Sequence, residues 1–102
     1  MAQSETITPM RNKMVNEVPP LVAGLQALGH VAGDADLGPR FLALSGLDAD
    51  GLRAGAGDPA LLAAVIDFLA AREADLVACA DALALTPAAL VAAGAALARG
   101  DN

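Results

Sequence analysis

Helix-start signals divide this chain into short pieces, and that punctuation limits the fold more than any other feature. Pro19-Pro20, Asp58-Pro59 and Thr86-Pro87 each stand directly before an apolar run, and Asp48 stands before a short segment that holds Leu52. A proline in the first helical turn gives up an N–H that has no partner there, whereas inside a helix it removes a bond and clashes with the preceding turn. Asp and Thr ahead of such a turn accept hydrogen bonds from its free amides. No segment alternates apolar and polar residues as a half-buried strand would. The spacing therefore predicts an all-α fold, a compact orthogonal bundle of five or six short helices.

The elements follow from these signals. Pro19-Pro20 opens a first helix with Leu21, Val22, Leu25, Leu28 and Val31 at helical spacing, ending near Gly33. Asp34 or Asp36 caps a second helix that holds Pro39 in its first turn and closes at Ser45-Gly46. Asp48 caps a short third helix, with Leu47 and Leu52 spaced as a hydrophobic staple. From Pro59 the stripe Leu62, Ile66, Leu69, Glu73, Leu76, Ala80, Leu83 continues for two dozen positions. One straight helix of that length would run about 37 Å, too long for a domain of this size. A break near Ala71 to Ala74 is expected, followed by a helix from about Asp75 to Ala84. Thr86-Pro87 then starts the last helix, with Leu85 and Leu90 as its staple and Gly100 as its stop. Leu47-Asp48-Ala49 with Leu52 and Leu85-Thr86-Pro87 with Leu90 form a weak echo, more simply explained by shared capping chemistry than by duplication.

Residues 1–17 are polar, contain Pro9 and lack a sustained period, so they read as a disordered leader to a single helical domain over 18–100. The expected core is Leu25, Leu28, Phe41, Leu42, Leu52, Leu62, Val65, Ile66, Phe68, Leu69, Leu76, Leu83 and Leu90. Composition matters for how that core packs. Of 102 residues 26 are Ala and 16 Leu, and Phe41 and Phe68 are the whole aromatic content. Such a core needs close helix approach, because each alanine removes little area from water.

The same residues exclude several chemistries. A net charge of -6, with six dispersed basic side chains, lacks the cationic cluster that phosphate backbones require. Ala80, a turn at Ala84 and Leu90 have the layout of a helix-turn-helix. The second helix, however, offers only Pro87, small apolar residues and Gly94 before Arg99, with no side chain to read base edges. Single His30 and single Cys79 support neither a transition-metal site nor an assisted nucleophile; His30 reads as a helix-end residue and Cys79 as a small buried hydrophobe. Asp34/Asp36 and Asp48/Asp50 sit where caps are wanted, without the further ligands of a calcium loop. Gly51, Gly55 and Gly57 follow no strand and form no phosphate cradle. No catalytic residue, cofactor site or metal site is expected. Arg11 and Lys13 precede an uncharged stretch, but Glu17, Pro19-Pro20, Gln26 and His30 are poor company for a signal peptide. No membrane span is expected, and the location expected is cytoplasmic.

From Arg40 onward the chain resembles a bacterial family catalogued as domain of unknown function 3572. The resemblance rests on Arg40-Phe41-Leu42, Ser45-Gly46-Leu47, Leu52-Arg53, Asp58-Pro59, Leu62, Val65, Asp67-Phe68-Leu69 and Glu73, and spans roughly residues 20–99. Where that pattern tends to carry an acidic residue before the Glu and an aromatic in the next helix, this chain has Arg72 and Cys79. The resemblance implies an all-helical fold and supplies no activity.

Three functional classes remain open. The first is a small non-enzymatic protein acting through protein–protein contact, with an unknown partner or with itself as a homodimer. The second is a helix-turn-helix-like, nucleic-acid-associated protein; the third is a small-molecule or lipid binder or an unrecognised enzyme. Ala82 to Ala98 carries no charge on a helix that needs a wet side, so Leu90, Val91 and Leu97 are the candidate partner-binding surface. Arg40, Arg53 and Arg72 are candidates for either an anion site or structural ion pairs with nearby Asp.

Overall fold

The computed structural model describes residues 18–100, so the leader expected over 1–17 lies outside the described residues. Six helices follow one another: α1 Pro20–Ala32, α2 Leu37–Ser45, α3 Ala49–Ala54, α4 Pro59–Ala70, α5 Glu73–Ala82 and α6 Pro87–Arg99. Among the described residues there is no strand, and the all-α expectation holds.

The caps act largely as their residue types demand. Asp48 Oδ1 accepts from the Gly51 amide at 2.7 Å, Asp58 Oδ1 from Ala60 at 3.0 Å, and Thr86 Oγ1 from Ala89 at 3.0 Å. At α2 the side chain that serves is Asp34, not Asp36. Its Oδ1 accepts from the amides of both Asp36 (2.8 Å) and Leu37 (2.9 Å). The long stripe from Pro59 does divide where expected. Helix α4 stops at Ala70, Arg72 turns extended, and α5 starts at Glu73 with Glu73 and Asp75 in its first turn. Acids there oppose the positive end of the helix dipole.

Helices α1, α4 and α6 form the main packed unit, and α5 closes one side of it. Small residues permit the close approach. A Cβ on Gly24 of α1 would lie 2.9 Å from Leu62 Cβ and 2.9 Å from Leu97 Cδ1. One on Gly94 of α6 would lie 2.8 Å from Ile66 Cγ2. Leu62, Val65, Ile66, Leu69, Leu90 and Leu97 are consequently almost free of solvent.

Of the expected core, Leu28, Phe41, Leu52, Leu62, Val65, Ile66, Leu69 and Leu90 are buried, while Leu42, Phe68, Leu76 and Leu83 are half-buried against it. Leu25 is a correction. It is 42% exposed, because α1 turns Ala23, Gly24, Ala27, Leu28 and Val31 inward. The face that fits against α4 and α6 is the one with small residues, not the one with the most leucine.

The second region of the molecule is held differently. Helix α2 rests on α1, with Phe41 meeting Phe68 edge-on at 5.3 Å between ring centroids. The six-residue α3 has no extensive helix–helix interface and is anchored mainly by Leu52. Between α1, α2 and α3 lies an open apolar groove of about 430 Å³.

Candidate functional site

The candidate partner face on α6 divides when seen in three dimensions. Leu90 and Leu97 stand at positions i and i+7 of the same stripe as Ala93 and Gly94, and all four are buried. Both leucines therefore belong to the core, and neither is available to a partner in this fold. Val91 is 43% exposed. Between Pro87 and Arg99, the exposed ends of α6, its outward positions are Ala88, Ala89, Val91, Ala92, Ala95 and Ala98, none of them polar. Next to them, Val18, Pro20 and Ala23 at the start of α1 and Leu85, Ala89 and Ala92 line a shallow cleft of about 310 Å³. No charged residue contributes to it.

The three arginines have three different fates. Arg40 is the structural one. Its guanidinium donates to Asp75 Oδ2 at 2.6 Å and to Asp36 Oδ2 at 3.1 Å, and lies over the Phe68 ring at 5.3 Å from the centroid. One side chain thus ties α2 to α4 and α5. Arg53 pairs with Asp50 at 3.1 Å, but the two side chains are 77% and 90% exposed. Such an exposed pair contributes about 0–1 kcal/mol. Arg72 stands exposed at the α4–α5 break and makes no ion pair among the described residues. The structure does not gather the three into one site.

The chain from Ala80 to Leu90 has helix-turn-helix geometry. Helices α5 and α6 meet at 96° across a four-residue turn, Ala80 and Leu90 are buried beneath it, and Ala84 adopts φ +59°. The Leu85 amide donates to the Ala80 carbonyl at 2.8 Å and that of Ala84 to Asp81 at 3.1 Å. This pair of bonds closes a helix end around one left-handed residue, a place usually taken by glycine. Sequence reasoning located the turn but not its strain, because Ala84 carries no mark of a positive φ. Among the described residues no single helix is long and apolar enough to cross a membrane; α5 and α6 meet the length and composition test only as a bent pair.

The remaining titratable groups behave as local structure. Asp34 is held below its ordinary value of 3.8, first by the Leu37 amide, then by that of Asp36, with weaker help from the charges of His30 and Arg40. His30 sits in the last turn of α1. Cys79 is fully buried, and loss of water pushes its thiol up to about 11. A thiolate is the reactive form, so this thiol is inert while the fold is closed.

The sequence model of the family described as protein of unknown function (DUF3572) matches residues 19–100, and the chain belongs to that family. No curated protein and no solved structure matches it.

Proposed function

We propose that this member of the family is a non-enzymatic, cytoplasmic protein that works by protein–protein contact, with a second copy of itself as its first partner. The observation that carries this reading is the outer face of α6. From Ala88 to Ala98 its six outward positions bear no polar side chain, and they adjoin a cleft without a charged one. On a chain of net charge -6, two copies approach with least repulsion where neither carries charge. Exposed apolar surface of this kind favours association.

Light scattering coupled to size exclusion over a wide dilution series tests it. A dimer that dissociates on dilution is expected, together with a monomeric Val91→Glu variant of unchanged helical circular dichroism. A wild-type chain that stays monomeric at the highest concentration overturns the self-association.

A second reading, a nucleic-acid-associated protein, is favoured by one observation, the 96° crossing of α5 and α6 around a left-handed Ala84. Against it stands α6, whose outward face presents no donor to base edges ahead of Arg99 in its last turn. A salt-dependent gel shift with duplex DNA would support this reading, and absence of a shift at low salt would end it.

A further inference from the structure

The groove between α1, α2 and α3 lies apart from the α6 face and calls for a different ligand. At about 430 Å³ it falls in the size range of small-molecule sites, which are mostly apolar with a few placed polar groups. Its walls are formed chiefly by Leu28, Leu42, Ala49, Leu52 and Ala56. The groove opens to solvent, so the apolar side chains along it face water and not a packed neighbour. Helix α3, which forms one wall, is six residues long and lacks an extensive interface, so the wall adjusts at small cost.

One charged side chain lines the groove, and it is Arg53. Its present partner, Asp50, is almost wholly in water, so the pair is readily exchanged for another carboxylate. An apolar trough with one exchangeable cation among its lining residues is complementary to a molecule with an apolar tail and one negative head. We infer that this groove binds an alkyl carboxylate of medium length, the tail along Leu28, Leu42 and Leu52 and the head on Arg53 in place of Asp50.

Sodium decanoate, kept below its micelle threshold, is the probe, added to the full chain and followed by 15N–1H spectra. Saturable shifts are expected at the amides of Leu42, Ala49, Leu52, Arg53 and Ala56. Asp50→Asn removes the competing carboxylate and should tighten binding two- to fivefold, while Arg53→Gln should weaken it about fivefold, the upper end for an exposed ion pair. Decanol, which has no charge, should bind both variants alike. Ala49→Trp should fill the groove and abolish both ligands. Should that variant fail to fold, the two charge variants decide alone, since both positions are exposed. Absence of shifts at these amides, shifts confined to α6, or decanoate binding unchanged by Arg53→Gln would each overturn the assignment.

Discussion

The α1–α4–α6 unit and the α2–α3 corner are built from the same few residue types and packed to opposite standards. In the first, glycines at positions 24 and 94 bring helices so near that an added methyl would strike Leu62 or Ile66. In the second, Ala49 and Ala56 stand beside an open groove. An alanine-rich chain can thus make either a tight seam or a gap. What differs is whether a large residue on the facing helix fills the room that the small one leaves. Opposite Gly24 stand Leu62 and Leu97, whereas Ala49 borders the open groove.

Replacing one leucine in each region tests this contrast most severely. Leu62→Ala should cost about 3–4 kcal/mol, because its rigid surroundings cannot collapse into the void. Leu52→Ala, at the groove edge, should cost about 2 kcal/mol, the low end for a buried leucine, since the six-residue α3 can settle into the space. Urea denaturation of both variants measures the gap, and equal losses would break the comparison.

Next in size is Arg40, which joins the two regions. Arg40→Met keeps much of the apolar stem over Phe68 but loses the bond to Asp75, and should cost about 1.5 kcal/mol. Arg53→Met should change stability little. A Gly24→Ala variant then sharpens the seam itself. Helix propensity favours alanine by about 1 kcal/mol, but the Leu62 contact opposes it by about 1–3 kcal/mol, so a small net loss is expected. The opposite sign is expected at Ala84, where glycine relieves the left-handed backbone and should stabilise by about 1 kcal/mol.

The smallest effect is pH-dependent and confined to the corner. Asp34 has its pKa depressed in the folded state, so its contribution is complete above the ordinary carboxylate range and lost as pH falls through the depressed value. Amide exchange at Leu37, normalised for intrinsic rate, should accelerate on acidification before the amides of α4 respond. Simultaneous loss of protection in both would show that the corner does not open independently.

These regions were unequally legible in the sequence. Helix starts read well because Pro59, Pro87, Asp48, Asp58 and Thr86 are chemically committed to one position in a helix. The break near Ala71 was visible as an unreasonable length. The inward faces of α1 and α6 were harder. On α1 the leucines suggested a buried side that includes Leu25, whereas close packing selected Ala23, Gly24 and Ala27. On α6 the absence of charge hides which side is wet, so the sequence alone does not separate buried Leu90 and Leu97 from exposed Val91. The groove was not legible, because no residue type announces a missing neighbour.

Cys79 supplies a measuring device. The lone thiol is sealed beneath α5 and protonated at neutral pH, so an alkylating reagent reaches it only through transient excursions that expose it. Its labelling rate, compared with that of the unfolded chain, counts those excursions. A variant such as Ala84→Gly should slow the labelling, and the protein thereby carries its own clock for how often α5 lifts away.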